Sequence, residues 1–289
     1  MPGLIAVAQS TSGSVENVRA IGSGLLESAL SQADVAFWAY NGRHTFTESG
    51  PIRNLRAIAN LYPEMVHIVV RRDAGILTVR DLKGKRVSLG LRSQSDWGVY
   101  SRMMLEAFGV TPQTADVRHL TPAALTQQLI DGSTDAAVTV FGMEPNQKEW
   151  MIGGPLRQLE ASGKPLRYLG LDKDTVDKVN KKWSTTFTHS VIPANTLPKQ
   201  AAPLPVGLVR GYKAAHPEFP DEVAYNIVMA VAKMAPKLRD LHVLWKIWSP
   251  ELMVAGLSDE NVHPGAKKAY VELGWWDKVK NYPPMTYPN

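Results

Sequence analysis

The sequence predicts an α/β protein built from two lobes, and three observations support this fold class. Residues 65–71 form an apolar run typical of a buried strand that leaves one α/β unit. Residues 81–90 combine a polar helix start, a glycine turn and an apolar strand that ends on glycine, typical of entry into a second unit. Residues 73–76 lie between them as the predicted crossing point. Strands that alternate with helices further along favour parallel sheets covered by helices.

The composition is that of a globular protein large enough for two domains. The chain has 289 residues, of which 44% are hydrophobic and 20% are charged. Lys and Arg number 32 against 27 Asp and Glu, a surplus too small and dispersed to predict a nucleic-acid-binding face. A mildly positive surface would instead attract small anions.

Several chemistries are disfavoured by what the sequence lacks. The absence of cysteine excludes disulfides, thiol catalysis and thiolate metal sites. The seven histidines show no metal-ligand spacing, and neither a nucleophile elbow, a phosphate-binding loop nor a dinucleotide fingerprint is present. No apolar run approaches the roughly 18–20 residues of a membrane span. These observations favour binding over catalysis and predict no cofactor, no metal and no insertion into a membrane.

The predicted elements follow from apolar periodicity and from capping residues. Up to residue 109 they are a strand at 4–8, a polar loop at 10–14, a helix at 15–26 with Ser14 as N-cap, a strand end and loop at 33–40, a loop and long strand at 52–71, a helical turn at 79–82, a strand at 86–90, and a helix from Ser95 or Asp96 to Phe108 closed by Gly109. Beyond it they are strands at 115–120, 136–141, 186–192 and 204–209, a helix at 121–130 capped by Thr121, a helix from Pro220 to Met234, and an extended proline-containing tail at 281–289.

Ligands of open α/β sheets bind beyond the carboxyl ends of strands, so three loops are candidates. Residues 10–14 offer hydroxyls and backbone N–H groups at a helix start, which suit a carboxylate or phosphate, although a cap and turn explain them equally well. Residues 90–96 contain Arg92, which could hold a carboxylate bidentately or simply be solvated. Residues 141–146 contain Pro145, whose place in a first helical turn is a structural explanation for that loop.

A further group combines aromatic and polar side chains. Gln32 and Asp34 precede Trp38 and Tyr40, and such a mixture is typical of small-molecule pockets. Packing of the two aromatic residues in the core is the alternative interpretation.

Several short segments resemble one family. Residues 11–19 read Thr-Ser-Gly-Ser-Val-Glu-Asn-Val-Arg, similar to the Thr-Gly-Gly-Ser-Val-Glu-Asn-Leu-Arg of the TAXI-type solute-binding subunits of TRAP transporters. Residues 32–36 and 39–42 resemble that family's Gln-Ser-Asp-Val-Ala and Ala-Tyr-Asn-Gly. Segments 61–64, 81–90 and 263–266 match it in order and spacing. The similarity is good over 3–145, weak over 146–255 and returns near 263–276.

The resemblance implies a two-lobed type II periplasmic-binding-protein fold with a central cleft. Lobe one would be 1–72 plus 194–289, and lobe two 73–193. It further implies a periplasmic receptor that captures a small organic anion, of the amino acid or dicarboxylate class, and delivers it to the permease subunits of a TRAP transporter. The residues expected to bind the ligand are Ser14, Asn17, Gln32, Asp34, Arg92, Ser93, Ser95 and Glu144.

Two departures from the family pattern qualify this reading. Family members carry a signal peptide, a strand and a helix before the point where this chain starts, which predicts an incomplete N-terminus. The family's Gly-Ser-Gly-Thr loop is replaced by Ser-Gln-Ser-Asp at 93–96, so Asp96 would repel a second carboxylate or pair with a ligand amine. Two other functions stay open: an enzyme acting on a small acid on the same scaffold, and a truncated receptor that does not function.

Overall fold

The computed structural model describes residues 5–143 and 150–277, and these form two compact units. Unit 1 comprises Met1–Pro63, Met143–Met151 and Arg210–Asn289, and unit 2 comprises Glu64–Gly142 and Ile152–Val209. The lobe limits expected from the sequence, 1–72 plus 194–289 and 73–193, stay a prediction.

Strands and helices alternate through most of the described chain, which confirms the α/β class. The strands are β1 (Ser28–Gln32), β2 (Arg56–Arg71), β3 (Arg86–Leu89), β4 (Asp116–His119), β5 (Ala136–Met143), β6 (Trp150–Ile152), β7 (Leu166–Leu169), β8 (Thr188–Ile192) and β9 (Leu204–Ala215). The α-helices are α1 (Ser14–Gly22), α2 (Ala33–Asn41), α3 (Ser101–Ala107), α4 (Pro122–Asp131), α5 (Gly154–Ala161), α6 (Lys173–Trp183), α7 (Asp221–Leu238), α8 (Pro250–Val254) and α9 (Pro264–Glu272).

Unit 1 is organised around a pair of antiparallel strands and a pair of helices. Strand β1 pairs with the second half of β9, with Ser28 opposite Ala215 and Gln32 opposite Gly211. Helix α1 packs against β1, and α7 packs against α9. The Tyr225 hydroxyl donates to Glu272 Oε2 at 2.8 Å and so links α7 to α9.

Unit 2 contains a mixed sheet. Strand β3 is parallel to both β4 and β5, whereas β2 is antiparallel to β5 and β7. The expectation of parallel sheets is therefore confirmed for β3, β4 and β5 but wrong for the neighbours of β2. The second half of β2 is buried among apolar residues, and His67 there lies 2.6 Å from Thr139 Oγ1 through its Nε2 atom.

Two predictions near the N-terminus are wrong. Residues 5–8 lie outside any strand and Ile5 is 86% exposed, because no neighbouring strand in the described chain pairs with them. Helix α1 begins at Ser14, with Gly13 as its N-cap at φ 121°, and ends at Gly22 rather than at residue 26. Gly24, at φ 74°, turns the chain away at this point, and the backbone N–H of Ser23 bonds to Arg19.

The segment at 33–40 was predicted as a strand end and loop, and it is helix α2. Seven of its nine residues are buried, Asp34 included, so the helix has almost no polar face. A helix buried on all sides lacks the 3.6-residue alternation that sequence analysis detects.

Other predicted elements are confirmed at their expected places. These are the strands β2, β3, β4, β5, β8 and β9, the turn at Val79–Leu82 with its Thr78–Asp81 capping box, α4 and α7. Thr121 caps α4 by accepting from the Ala124 N–H at 3.3 Å. The helix expected from Ser95 or Asp96 has Gln94 as its N-cap, and it opens with a π-helical segment at Ser95–Tyr100 before α3.

Elements for which the sequence predicted no bounds are β1, β6, α5, β7, α6, α8 and α9, the last two lying in a C-terminal third expected to be mostly helical. Pro145 and the tail at 281–289 lie outside the described residues. None of the described helices combines the length and apolar character that crossing a membrane requires.

Candidate functional site

The candidate site in unit 1 lies where β1 ends and α2 begins. Gln32 is both the last residue of β1 and the N-cap of α2, and Asp34 is in the first turn of that helix. Gln32 is 8% exposed and Asp34 2% exposed. Buried polar side chains at the carboxyl end of a strand suit the recognition of a small ligand.

The start of α1 is brought to the same place by two hydrogen bonds. The backbone N–H of Gln32 donates to Ser14 Oγ at 3.1 Å. The side-chain amide of Asn17 donates to the Leu30 carbonyl at 2.8 Å. Ser14, Asn17 and Gln32, predicted as a group with Asp34, are thus gathered around the end of β1.

In the polar loop before α1, hydrogen-bond donors already bind the carboxylate of Glu16. The backbone N–H and the hydroxyl of Ser12 both donate to Glu16 Oε2 at 2.6 Å. These bonds, the hydroxyl first and the backbone second, lower the pKa of the Glu16 carboxyl. A ligand carboxylate would have to compete with Glu16 for these donors of the 10–14 loop.

The two aromatic residues of α2 have different surroundings. Trp38 is fully buried, and its ring centroid lies 4.6 Å from that of His44. Tyr40 is 40% exposed, with the Arg53 guanidinium 6.0 Å from its ring centroid. Trp38 is therefore part of the core of unit 1.

The candidate site in unit 2 is the loop between β3 and the π-helical segment. Arg92 is exposed, Ser93 is half-buried and Ser95 is only 3% exposed. The loop turns tightly because two glycines allow close approach of the backbone. A Cβ atom on Gly90 would lie 2.2 Å from Trp97 Cβ, and one on Gly98 would lie 2.1 Å from the Leu91 carbonyl oxygen.

The surroundings of Asp96 shift the pKa of its carboxyl group. Burial raises the pKa of its carboxyl, against the opposing effect of hydrogen bonds to the backbone of Asp96 and Trp97 and to the side chains of Glu64 and Ser95. A hydrogen bond between the carboxyls of Asp96 and Glu64 requires one of them to carry a proton. The carboxyl oxygens of the pair that do not share this proton can accept from a ligand amine.

Sequence analysis missed Glu64 as a member of this site. The available signal was the 61–64 segment, which contributed only to the family resemblance. Glu144, also predicted to bind ligand, lies outside the described residues. Within residues 5–143 and 150–277, no group of His, Asp and Glu side chains is arranged to hold a metal ion.

A family model described as the NMT1-like family matches residues 3–274. The chain belongs to the NMT1-like family.

Several solved structures resemble this NMT1-like protein at low identity. The periplasmic aliphatic sulphonate binding protein SsuA from Escherichia coli is 14% identical with a TM-score of 0.39, over 94% of this chain and 67% of that one. XAC2383 from Xanthomonas citri, bound to chloride ion, is 11% identical with a TM-score of 0.48, over 93% and 83%. MatC from Rhodopseudomonas palustris, with bound malate, is 11% identical with a TM-score of 0.47, over 92% and 82%.

Proposed function

We propose that this NMT1-like protein is the periplasmic solute-binding receptor of a TRAP-type transporter, which binds a small organic anion and delivers it to membrane permease subunits. Membership of the family supports the proposal, as do the TAXI-like segments at 11–19, 32–36 and 263–266. The observation that carries it is the convergence of Ser14, Asn17 and Gln32 at the end of β1, where α/β proteins bind ligands.

The charges in unit 2 support an anionic ligand with a second, cationic group. Arg92 is an exposed guanidinium in a strand-to-helix loop, suited to a carboxylate. The Asp96–Glu64 pair is suited to an ammonium group, since at least one of its oxygens remains an acceptor. An amino acid carries both groups, so we favour that class over a plain dicarboxylate.

A thermal-unfolding screen against amino acids, dicarboxylates, and short aliphatic and aromatic acids tests the proposal. A ligand at about a hundred times its dissociation constant adds roughly 2.7 kcal/mol to the free energy of unfolding. The matched control for each acid is the amide of its carboxyl group, which should produce a smaller shift because it lacks the negative charge that Arg92 would pair with. If no acid of any class shifts the transition, the receptor proposal is wrong.

Recovery of the ligand separates a receptor from an enzyme. After incubation with the protein, the ligand should be found chemically unaltered by NMR. Turnover would favour an enzyme acting on a small acid.

Replacing Asp96 tests the preference between ligand classes. Asp96→Asn removes a potential negative charge and retains the size of the side chain. The variant should bind amino acids more weakly and dicarboxylates more tightly than the unmodified protein, as measured by calorimetric titration. Equal changes for both classes would show that Asp96 does not select the ligand.

A further inference from the structure

His119 lies at the carboxyl edge of the parallel strands in unit 2, next to the loop that follows β3. Strand β3 is flanked by β4 on one side and by β5 on the other, so the order of the strands reverses at β3. Ligands of open α/β sheets bind beyond the carboxyl ends of the strands at such a reversal. Leu89, the last residue of β3, pairs with His119, the last residue of β4. His119 therefore lies where a sheet of this kind binds its ligand, although the sequence did not predict it as a site residue.

Hydrogen bonds hold His119 against the start of the loop after β3. The backbone N–H of Leu120 donates to the Leu89 carbonyl at 2.9 Å, which continues the pairing of the two strands to their ends. The side chain of His119 is half-buried, and its Nδ1 atom lies 2.8 Å from the carbonyl oxygen of Gly90. The position of the imidazole ring is thus fixed relative to this loop.

The contact with Gly90 determines which ring nitrogen of His119 can be an acceptor. A carbonyl oxygen only accepts hydrogen bonds, so Nδ1 carries the hydrogen in this contact. A neutral imidazole has one N–H, and the lone pair that remains is then on Nε2. In its neutral form the ring therefore offers an acceptor, which suits the N–H of an ammonium group and does not suit a carboxylate.

We propose that His119 is a further ligand-binding residue of unit 2, and that its Nε2 atom accepts a hydrogen bond from the ammonium group of an amino acid. This inference rests on the proposed receptor function and on the ligand class favoured there. An ammonium group has three N–H donors, so it can bond to the Asp96–Glu64 pair as well. With Arg92 of the same loop binding the carboxylate, His119 makes the site selective for acids that also carry an amine.

The tautomer of His119 is tested in the full-length protein without any ligand. Long-range proton–nitrogen NMR on protein labelled with ¹⁵N-histidine distinguishes the two neutral tautomers, and the signal that disappears in His119→Asn belongs to His119. At about pH 8, where an ordinary imidazole is neutral, we expect the hydrogen on Nδ1. A hydrogen on Nε2, or on both nitrogens, would make Nε2 a donor and overturn the proposal, whether or not the protein binds an anion.

Two substitutions of His119 separate ligand binding from support of the loop. Asparagine places an amide N–H near the position of Nδ1 and has no group at Nε2, whereas glutamine places its amide near Nε2. His119→Asn should keep the thermal stability and lose at least about tenfold in affinity for an amino acid, as expected for one hydrogen bond to a charged group. His119→Gln should lose stability and keep more of the affinity. The reverse order of the two affinities would show that His119 only supports the loop.

Affinities are measured by calorimetric titration with the common amino acids and, for each one that binds, with the same acid lacking its amine, such as glutarate for glutamate. His119→Asn should weaken binding of the amino acid and leave that of the amine-free acid unchanged. His242→Asn is the control, since this exposed histidine of unit 1 accepts a bond from the Leu244 N–H that asparagine can also accept. It should leave both affinities unchanged.

The outcomes distinguish this inference from the receptor proposal. Binding of an amino acid that His119→Asn leaves unchanged would overturn the role of His119 alone. Binding of amine-free acids only would also overturn it, and the receptor proposal would stand. If no acid of either kind binds the unmodified protein, both are wrong.

Discussion

The loop before α1 in unit 1 and the loop after β3 in unit 2 both lead into a helix, yet different interactions hold them. In unit 1, hydrogen bonds donated by the side chains of Ser12 and Asn17 and accepted by that of Ser14 organise the loop. In unit 2, Gly90 and Gly98 let the backbone pack at distances that no side chain would allow. Polar residues in unit 1 therefore stabilise the fold whether or not a ligand binds, whereas Arg92 in unit 2 is exposed to solvent.

At neutral pH the largest effect is expected from adding a methyl group to the tight loop. Gly98→Ala would place Cβ 2.1 Å from a backbone oxygen, which cannot move without disturbing β3 and the loop. We expect a loss of about 3 kcal/mol in the free energy of unfolding, measured by urea denaturation. Gly154→Ala is the control, since no atom lies within 4 Å of the added Cβ, and it should be nearly neutral. Similar stabilities for the two variants would refute backbone close packing as the basis of the unit 2 loop.

A buried histidine should make unit 2 sensitive to acid. Burial lowers the pKa of His67 from 6.5 to about 3, so below pH 6.5 the unfolded chain binds a proton that the folded protein excludes. The free energy of unfolding should fall from this group by about 1.4 kcal/mol per pH unit between pH 6.5 and pH 3.

His67→Gln tests this contribution, because glutamine can still bond to Thr139 but does not titrate in this range. Urea denaturation from pH 4 to pH 7 should show a shallower slope for the variant. Thr139→Val removes the hydrogen bond but leaves the histidine, so it should lower stability and keep the original slope. If the free energy of unfolding of His67→Gln fell with pH as steeply as that of the unmodified protein, other groups would be the cause of the acid sensitivity.

In unit 1 the hydrogen bonds of Asn17 should contribute measurably to stability. Asn17→Ala removes the donor to the Leu30 carbonyl and the acceptor for Thr11, and should cost about 1–2 kcal/mol. Asn41→Ala breaks a local bond to the Phe37 carbonyl within α2 and should cost less. Equal effects in thermal unfolding would argue against side-chain hydrogen bonds as the organising force of the α1 loop.

The smallest effect on stability is expected at Arg92, where the effect on binding should be clear. Arg92→Ala removes an exposed side chain and should change the free energy of unfolding by less than about 0.5 kcal/mol. Affinity for an anionic ligand found in the screen should fall several-fold. Arg72→Ala, another exposed arginine of unit 2, controls for net charge and should leave affinity unchanged. Unchanged affinity in Arg92→Ala would remove Arg92 from the site.

Much of the fold was predictable because many elements carry local signals. Thr121 followed by Pro122 marks the start of α4, and the Thr78–Asp81 pair marks the turn before β3. Helix α2 escaped prediction because burial on every side removes the apolar periodicity. Over residues 5–8 the expected strand is wrong, since an apolar run forms a strand only where another strand pairs with it.

The residues of the candidate site were likewise predicted only in part. Ser14, Asn17, Gln32 and Asp34 were chosen from two short segments, and the structure places the first three within hydrogen-bonding reach of the end of β1. Their role toward a ligand stays a prediction. Neither Glu64 beside Asp96 nor Glu16 bonded to Ser12 was predicted, because both depend on where side chains of neighbouring elements point.

Turn, cap and periodicity signals act over a few residues, so the α/β class, the positions of most strands and the polar loops could be predicted from the sequence. The hydrogen-bond partners of the polar groups in those loops, the antiparallel pairing of strands and the burial of titratable groups required the folded structure. Those properties depend on the distances between residues remote in the chain, and packing sets them.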